Sequence, residues 1–198
     1  MVSSENFAKI AKICRYKKDV ETSLNIFLIF AFAAVYPLIH MGNGFLFREL
    51  EISSHVSLVY MPAFLRLFHV LVLGPIKGSL ATILGGFLLM NQIGEASHLV
   101  IMNNLCSAAG PLMALALFNL HFKRPVGLSS LKDLFVLTLL YCLANALVHH
   151  VMWSIFDTSQ LKTPFQFWTM VAGDLFGCLI GVGLMKLAID RFGLPNSA

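Results

Sequence analysis

Charged residues are scarce in this chain. Only 12% of its 198 residues are Asp, Glu, Lys or Arg, 58% are apolar, and the mean hydropathy is +0.79. Soluble domains carry about 25% charged residues, so the chain lacks the charge that would cover a soluble surface. The longest polar stretch is the N-terminal segment before Ser23, which leaves no room for a soluble catalytic domain. The sequence therefore predicts an all-α integral membrane protein.

The chain also lacks the motifs of common catalytic and metal sites. Its cysteines have no C-x-x-C spacing, and there is no G-x-S-x-G, no H-E-x-x-H and no glycine-rich phosphate loop. A nucleophile such as Cys106 or Ser107 with His149 as its base is an alternative that carries no recognisable motif. We predict a non-enzymatic protein without metal or cofactor, in which the cysteines are small buried apolar residues: Cys14, Cys106, Cys142 and Cys178.

Six apolar stretches have the composition of membrane-spanning helices, which need about 20 largely apolar residues. They cover residues 23–40, 56–75, 78–92, 99–118, 134–153 and 165–189. The third is short and glycine-rich, which indicates a tilted, re-entrant or locally unwound segment. We expect three regions: a basic N-terminal segment 1–22, a six-helix domain 23–190 and a C-terminal tail 191–198.

The basic residues lie mostly on one side of these spans. If the N-terminus is cytoplasmic, the outer loops hold only Arg48 and Lys162, and Arg66 lies within a span. The cytoplasmic segments then hold the other basic residues: Lys9, Lys12, Arg15, Lys17, Lys18, Lys77, Lys123, Arg124, Lys132, Lys186 and Arg191. Because cytoplasmic loops carry an excess of Lys and Arg, we predict a multi-pass protein of the bacterial inner membrane with both termini cytoplasmic. Its surroundings are membrane lipids, and no nucleic acid is expected as a partner.

Three local patterns add detail to this topology. Before the first span, apolar residues at helical spacing alternate with cations, which predicts a short helix on the anionic inner leaflet, with a solvated irregular tail as the alternative. The first outer loop begins Gly42-Asn43-Gly44, which predicts a turn. Trp153 and Trp168 fall at the outer ends of the fifth and sixth spans, where we expect them to anchor the protein in the membrane interface.

Two formal charges lie inside the predicted spans. Arg66 is near the middle of the second span, and Asp174 lies within the sixth. Each costs at least about 2.5 kcal/mol at a helix centre, so we expect both to face the interior and to pair with each other. Such a pair either fixes the register of the helices or forms a ligand or proton site.

Neutral polar side chains extend this set. His69 follows Arg66 by three residues, which predicts a shared helix face. Asn145 and His149 form a stripe on the fifth span, and Asn103 and Asn104 enter the fourth. Hydrogen bonding between helices, proton transfer, and haem or metal ligation are the open interpretations. The candidate ligand-binding or buried polar residues are therefore Arg66, His69, Asn104, Asn145, His149 and Asp174.

Small residues in the sixth span predict close packing between helices. Gly173, Gly177 and Gly181 recur every fourth residue and form a ridge along one face. Such a ridge lets a second helix approach closely, either within one protein or between two copies. We expect packing within the chain as its main role.

Several motifs occur in the same order as in a known family. YMPAFLRL (residues 60–67), LGP (73–75), GGFL (85–88) and the closing W-x₄-G-D-x₂-G (168–177) resemble the MASE1 integral membrane sensory domain between about residues 59 and 187. Pro62 and Gly74 lie in these motifs, and we expect them to serve helix packing. The family usually has about eight spans and a fused histidine kinase or diguanylate cyclase. The resemblance therefore implies a sensory role that requires a separate protein partner here.

A second resemblance implies a different function. Six spans in about 200 residues, basic cytoplasmic edges and a Gly-Asp in the last span are similar to the substrate-binding component of energy-coupling-factor vitamin transporters. The leading hypothesis is a non-enzymatic sensory or accessory protein that binds a small ligand or partner helix within the bundle and couples to a separate protein. The alternative is a substrate-binding membrane subunit of a small-molecule transporter.

Overall fold

The computed structural model describes residues 4–53, 56–89, 97–156 and 163–192, and most of them are helical. The described helices are α1 (Ser4–Leu46), α2 (Pro62–Leu73), α3 (Pro75–Leu88), α4 (Ser97–Phe122), α5 (Leu131–Phe156) and α6 (Pro164–Phe192). A 3₁₀ turn and a small antiparallel hairpin separate α1 from α2. They consist of Arg48–Leu50 and of the strands β1 (Glu51–Ser53) and β2 (Val56–Ser57).

Four of these helices contain stretches long and apolar enough to cross a membrane. The stretches are Val20–Leu46, His98–Phe122, Leu131–Phe156 and Pro164–Ala188. The short helices α2 and α3 have 12 and 14 residues, or about 18 and 21 Å at 1.5 Å per residue, against a hydrocarbon core of about 30 Å. The chain thus has the architecture of an all-α membrane protein, with four long apolar helices and one short helical pair.

The predicted second and third spans have different bounds in the structure. Residues 56 and 57 belong to β2, and α2 begins only at Pro62, whose ring fixes the backbone angle φ of the first helical turn and needs no hydrogen-bond donor. Gly74 has a φ of +83°, which ends α2 and lets α3 begin one residue later at Pro75. The prediction of one helix over 56–75 is wrong because Pro62 and Gly74 limit it from both ends.

The first helix is longer than its predicted span at both ends. It continues through Gly42 and Gly44, where a turn was predicted, and stops at Leu46. Within this extension Asn43 is buried, and its Oδ1 accepts a hydrogen bond from the backbone N–H of Met61 at 2.8 Å. At the other end the predicted surface helix is continuous with α1 from Ser4. Its side chains up to residue 19, that of Cys14 among them, lie outside the described residues.

The short helix α2 occupies the centre of the bundle. It packs against α1, α3, α4 and α6, and seven of its 12 residues are buried. Ala63 and Leu67 join the main apolar cluster with large side chains from α4 and α5, such as Phe118 and Tyr141. Because α2 is enclosed on these sides, its polar side chains must find their partners within the bundle.

The glycine ridge of α6 lies against the chain that leads into α2. A Cβ atom at Gly173 would overlap the carbonyl oxygen of Ser57, and one at Gly177 would overlap that of Tyr60. At Gly181 the overlap would be with the ring of Phe64. The backbone N–H of Tyr60 also donates to the Gly173 carbonyl at 3.0 Å. The ridge therefore fixes where α2 begins, by direct contact with backbone atoms.

Substitution within this ridge gives a direct test of that packing. We expect Gly177→Ala to lower the free energy of unfolding by about 2 kcal/mol, because the new methyl group meets a backbone oxygen that cannot move independently. The matched control is Gly183→Ala on the same helix, where no atom lies within 4 Å and the change should be neutral or stabilising. Thermal unfolding in lipid nanodiscs measures both, and equal effects would contradict the close contact.

Candidate functional site

A partly enclosed polar cavity lies at one end of the bundle. Its volume is about 50 Å³, room for roughly three or four waters on a scale where one needs about 10–15 Å³. Its walls come from the ends of α1, α3 and α5 and from the beginnings of α2, α4 and α6. The polar side chains of this Arg66 cavity are Tyr36, His40, Tyr60, Arg66, Asn103, Asn104, Ser107 and His149.

The guanidinium of Arg66 is held by two phenol groups. Its Nε and Nη2 donate to the Tyr36 hydroxyl at 3.0 and 2.9 Å, and Nη2 also donates to the Tyr60 hydroxyl at 3.0 Å. The guanidinium carbon lies 5.0 Å from the centre of the Tyr60 ring, a cation–π distance. The remaining nitrogen, Nη1, is buried and has no hydrogen-bond partner in the described part of the chain. Arg66 is only 5% exposed, so this nitrogen is a donor that the fold leaves unused.

The predicted ion pair between Arg66 and Asp174 does not form. Among the described residues, the hydrogen-bond partner of Asp174 is Asn145, whose Nδ2 donates to the carboxylate at 2.7 Å. Asp174 is 1% exposed and joins α6 to α5, whereas Arg66 joins α2 to α1. The expectation of direct pairing is wrong. Each charge is hydrogen-bonded to neutral groups instead, Arg66 to two tyrosine hydroxyls and Asp174 to the Asn145 amide.

The second predicted donor, Asn104, faces the same cavity. Its side chain lies against Gly86 of α3, where any Cβ atom would overlap the Asn104 amide. The amide nitrogen Nδ2 is buried and lacks a hydrogen-bond partner among the described groups. Arg66 and Asn104 thus line the cavity from two different helices, and each has one buried donor without a partner in the described part of the chain.

Histidines occupy separate environments. The Nδ1 atom of His69 lies 3.1 Å from the Thr82 hydroxyl, and its ring packs edge-on against Phe32 at 5.3 Å. It is therefore placed between α2, α3 and α1, away from the cavity, and the predicted shared face with Arg66 does not bring the two groups into one site. His149 does line the cavity, with its ring 5.3 Å from that of Trp153.

The two tryptophans differ in their surroundings. Trp153 is 3% exposed, and its Nε1 donates to Asn103 Oδ1 at 2.9 Å, so it supports the cavity wall. Its predicted role as an interfacial anchor is wrong, because it is buried in an apolar cluster with residues of α4, α6 and β2. Trp168 is 60% exposed at the start of α6, as an anchor requires.

The predicted polar set therefore divides into three parts. Arg66, Asn104 and His149 line the cavity, Asn145 and Asp174 bond to each other beside it, and His69 bonds to α3. The phenols of Tyr36 and Tyr60 were not among the predicted site residues. A tyrosine inside a span was the available signal, because a buried hydroxyl needs a polar partner.

The described side chains include three cysteines and no cluster of metal-ligating groups. Among the residues that the structure describes, no three His, Cys, Asp or Glu side chains gather in a way that could hold a metal ion. Cys106, Cys142 and Cys178 are free and buried, as predicted. The arrangement is suited to binding through hydrogen bonds and one positive charge.

Comparison with known proteins does not place the chain in a family. No family model matches it, and neither curated proteins nor solved structures give a match.

Proposed function

We propose that this chain is a non-enzymatic sensory or accessory protein of the bacterial inner membrane, of MASE1 type. It binds a small ligand in the Arg66 cavity and couples to a separate protein. The observation that carries the proposal is the unused Nη1 donor of a buried arginine that lines a polar cavity. An unsatisfied buried donor costs about 1–3 kcal/mol, and more on a charged group. A ligand that accepts this hydrogen bond would recover that free energy.

The proposal includes six membrane crossings, two of them short. At one end of the α2–α3 pair, the Tyr60 hydroxyl lies 3.4 Å from His40 of α1, and at the other Lys77 donates to Asn25 of α1 at 2.8 Å. These two positions on α1 are separated by about 22 Å at 1.5 Å per residue. The short pair thus extends along most of the apolar length of α1. Local thinning of the bilayer would accommodate the remaining mismatch.

The basic residues orient this bundle with both termini in the cytoplasm. Lys77 at the α2–α3 turn then lies on the same side as Lys123, Arg124 and Lys132 between α4 and α5. The Arg66 cavity lies at the opposite end of the bundle, so its ligand enters from the outer side.

The loop between α4 and α5 is the proposed cytoplasmic contact for the partner protein. Arg124 donates to both carboxylate oxygens of Asp133, at 2.5 and 2.8 Å, and the Gly127 backbone N–H donates to the same carboxylate at 3.0 Å. These bonds give the loop a defined shape. The two helices that flank this loop, α4 and α5, line the cavity at their other ends through Asn104 and His149. A shift of either helix on ligand binding would therefore move the loop.

A substrate-binding subunit of a vitamin-type transporter is the second candidate. It is favoured by the position of the cavity at the end of the bundle that the charges assign to the outside. The two functions differ in their partner, because a transporter subunit would purify with an ATPase-driven scaffold and a sensory protein with a signalling or respiratory component.

Labelling of introduced cysteines from the two sides of the membrane tests the topology. Ile76 at the α2–α3 turn and Phe45 near the end of α1 are 78% and 87% exposed and form a matched pair. In a Cys14→Ser background we expect Ile76→Cys to react with an impermeant maleimide only from the cytoplasmic side, and Phe45→Cys only from outside. Labelling of both from the same side would contradict the six crossings.

Native mass spectrometry of the protein in nanodiscs made from its own membrane tests ligand binding. We expect a small non-covalent mass that Ser107→Leu abolishes, because Ser107 is buried in the cavity wall and the larger side chain fills the space. The matched control Ser154→Leu changes an exposed serine outside the cavity and should retain the mass. An empty wild-type protein, or a mass unaffected by Ser107→Leu, would refute binding in this cavity.

A further inference from the structure

We infer that the ligand of the Arg66 cavity is a small monoanion with a carboxylate group, bound by Arg66 Nη1 and Asn104 Nδ2. This inference rests on the proposed function and adds the chemical class of the ligand. It concerns two side chains from different helices that line one cavity, each with a buried nitrogen that has no hydrogen-bond partner among the described residues.

The hydrogen-bond pattern of Arg66 favours a ligand with acceptor atoms. The Tyr36 and Tyr60 hydroxyls occupy Nε and Nη2, which fixes the guanidinium plane and leaves both N–H groups of Nη1 unbonded. Because a guanidinium has donors and no acceptor, whatever meets Nη1 must supply an acceptor. The same holds for the amide nitrogen of Asn104. The two donors can therefore be satisfied only by a ligand that has acceptor atoms. A carboxylate has two such oxygens in one plane.

The charge of the cavity favours a ligand with one negative charge. Among the described residues that line it there is no Asp or Glu, and Arg66 is the one Lys or Arg. The nearby carboxylate of Asp174 is bonded to Asn145 and makes no ion pair with the guanidinium. A positive charge that is removed from water is stabilised most by a negative charge in direct contact. One guanidinium matches one negative charge, which favours a monoanion over a dianion.

The size of the cavity favours a ligand of only a few non-hydrogen atoms. A volume of about 50 Å³ accommodates roughly three or four water-sized groups. Formate, acetate and propionate have three to five non-hydrogen atoms and match this space. A phospholipid headgroup exceeds it, so the geometry favours a free short-chain carboxylate over a lipid.

The tryptophan beside the cavity provides a direct readout. Trp153 donates to Asn103, the chain neighbour of Asn104, and Trp168 is the second tryptophan of the chain. The Trp168→Phe variant therefore reports only on the cavity wall. In nanodiscs of phosphatidylcholine, we expect sodium acetate to change the fluorescence of Trp153 with saturation. The neutral isostere acetamide should bind at least about tenfold more weakly, because it lacks the charge-assisted bond.

Substitutions assign the binding to the two donors. Arg66→Lys keeps the charge but loses the planar fork, and we expect acetate affinity to fall about tenfold or more. Arg48→Lys, at an exposed arginine outside the cavity, is the matched control and should change nothing. Asn104→Asp keeps size while replacing the donor by an acceptor, so it should abolish acetate binding even if Arg66→Lys fails to fold.

The outcomes separate this inference from the proposed function. Equal affinity for acetate and acetamide, no saturable response to formate, acetate or propionate, or acetate binding unchanged in both cavity variants would each overturn the carboxylate assignment. Stronger binding of inorganic phosphate, or of a phosphodiester headgroup such as glycerophosphocholine, than of acetate would overturn it as well. The ligand mass lost in Ser107→Leu is measured independently of these probes. If that mass is found and the carboxylate assignment is overturned, the proposed function still holds.

Discussion

The clamp of two phenols on the Arg66 guanidinium is the interaction on which the rest of this structure depends. A charged group within a membrane bundle must be satisfied by the protein itself, and Tyr36 and Tyr60 satisfy two of its three nitrogens. They bring α1 and the chain before α2 to a common point, which becomes one wall of the cavity. Nη1 is the guanidinium nitrogen that this clamp leaves without a partner among the described residues.

The short central helix α2 makes this arrangement possible. Pro62 and Gly74 restrict it to 12 residues, and the glycines of α6 allow the preceding backbone to lie directly against α6. The C-terminal end of α1 and the β1–β2 hairpin that follows it precede α2 at this end of the bundle. A full-length second span would have continued the helix through Tyr60 and displaced its hydroxyl from Arg66.

Composition was sufficient to predict the membrane class, because 12% charge cannot cover a soluble surface. Hydropathy placed the four long apolar helices, and the cost of burial identified Arg66 and Asn104 as polar groups in the interior. The pairing of Arg66 with Asp174 was not predictable in this way. One sequence shows which charges are buried but not which neutral phenols or amides compete for them. The same limit misplaced Trp153, whose burial depends on contacts with α4, α6 and β2.

We expect the unused donors at Arg66 and Asn104 to form a ligand site. A cryo-electron microscopy structure of the protein, extracted with its own lipids and resolved well enough to show ordered water, tests this most directly. A bound carboxylate would give one continuous planar density that bridges Arg66 Nη1 and Asn104 Nδ2. Separate water peaks on the two nitrogens, or a protein side chain bonded to Nη1, would contradict it.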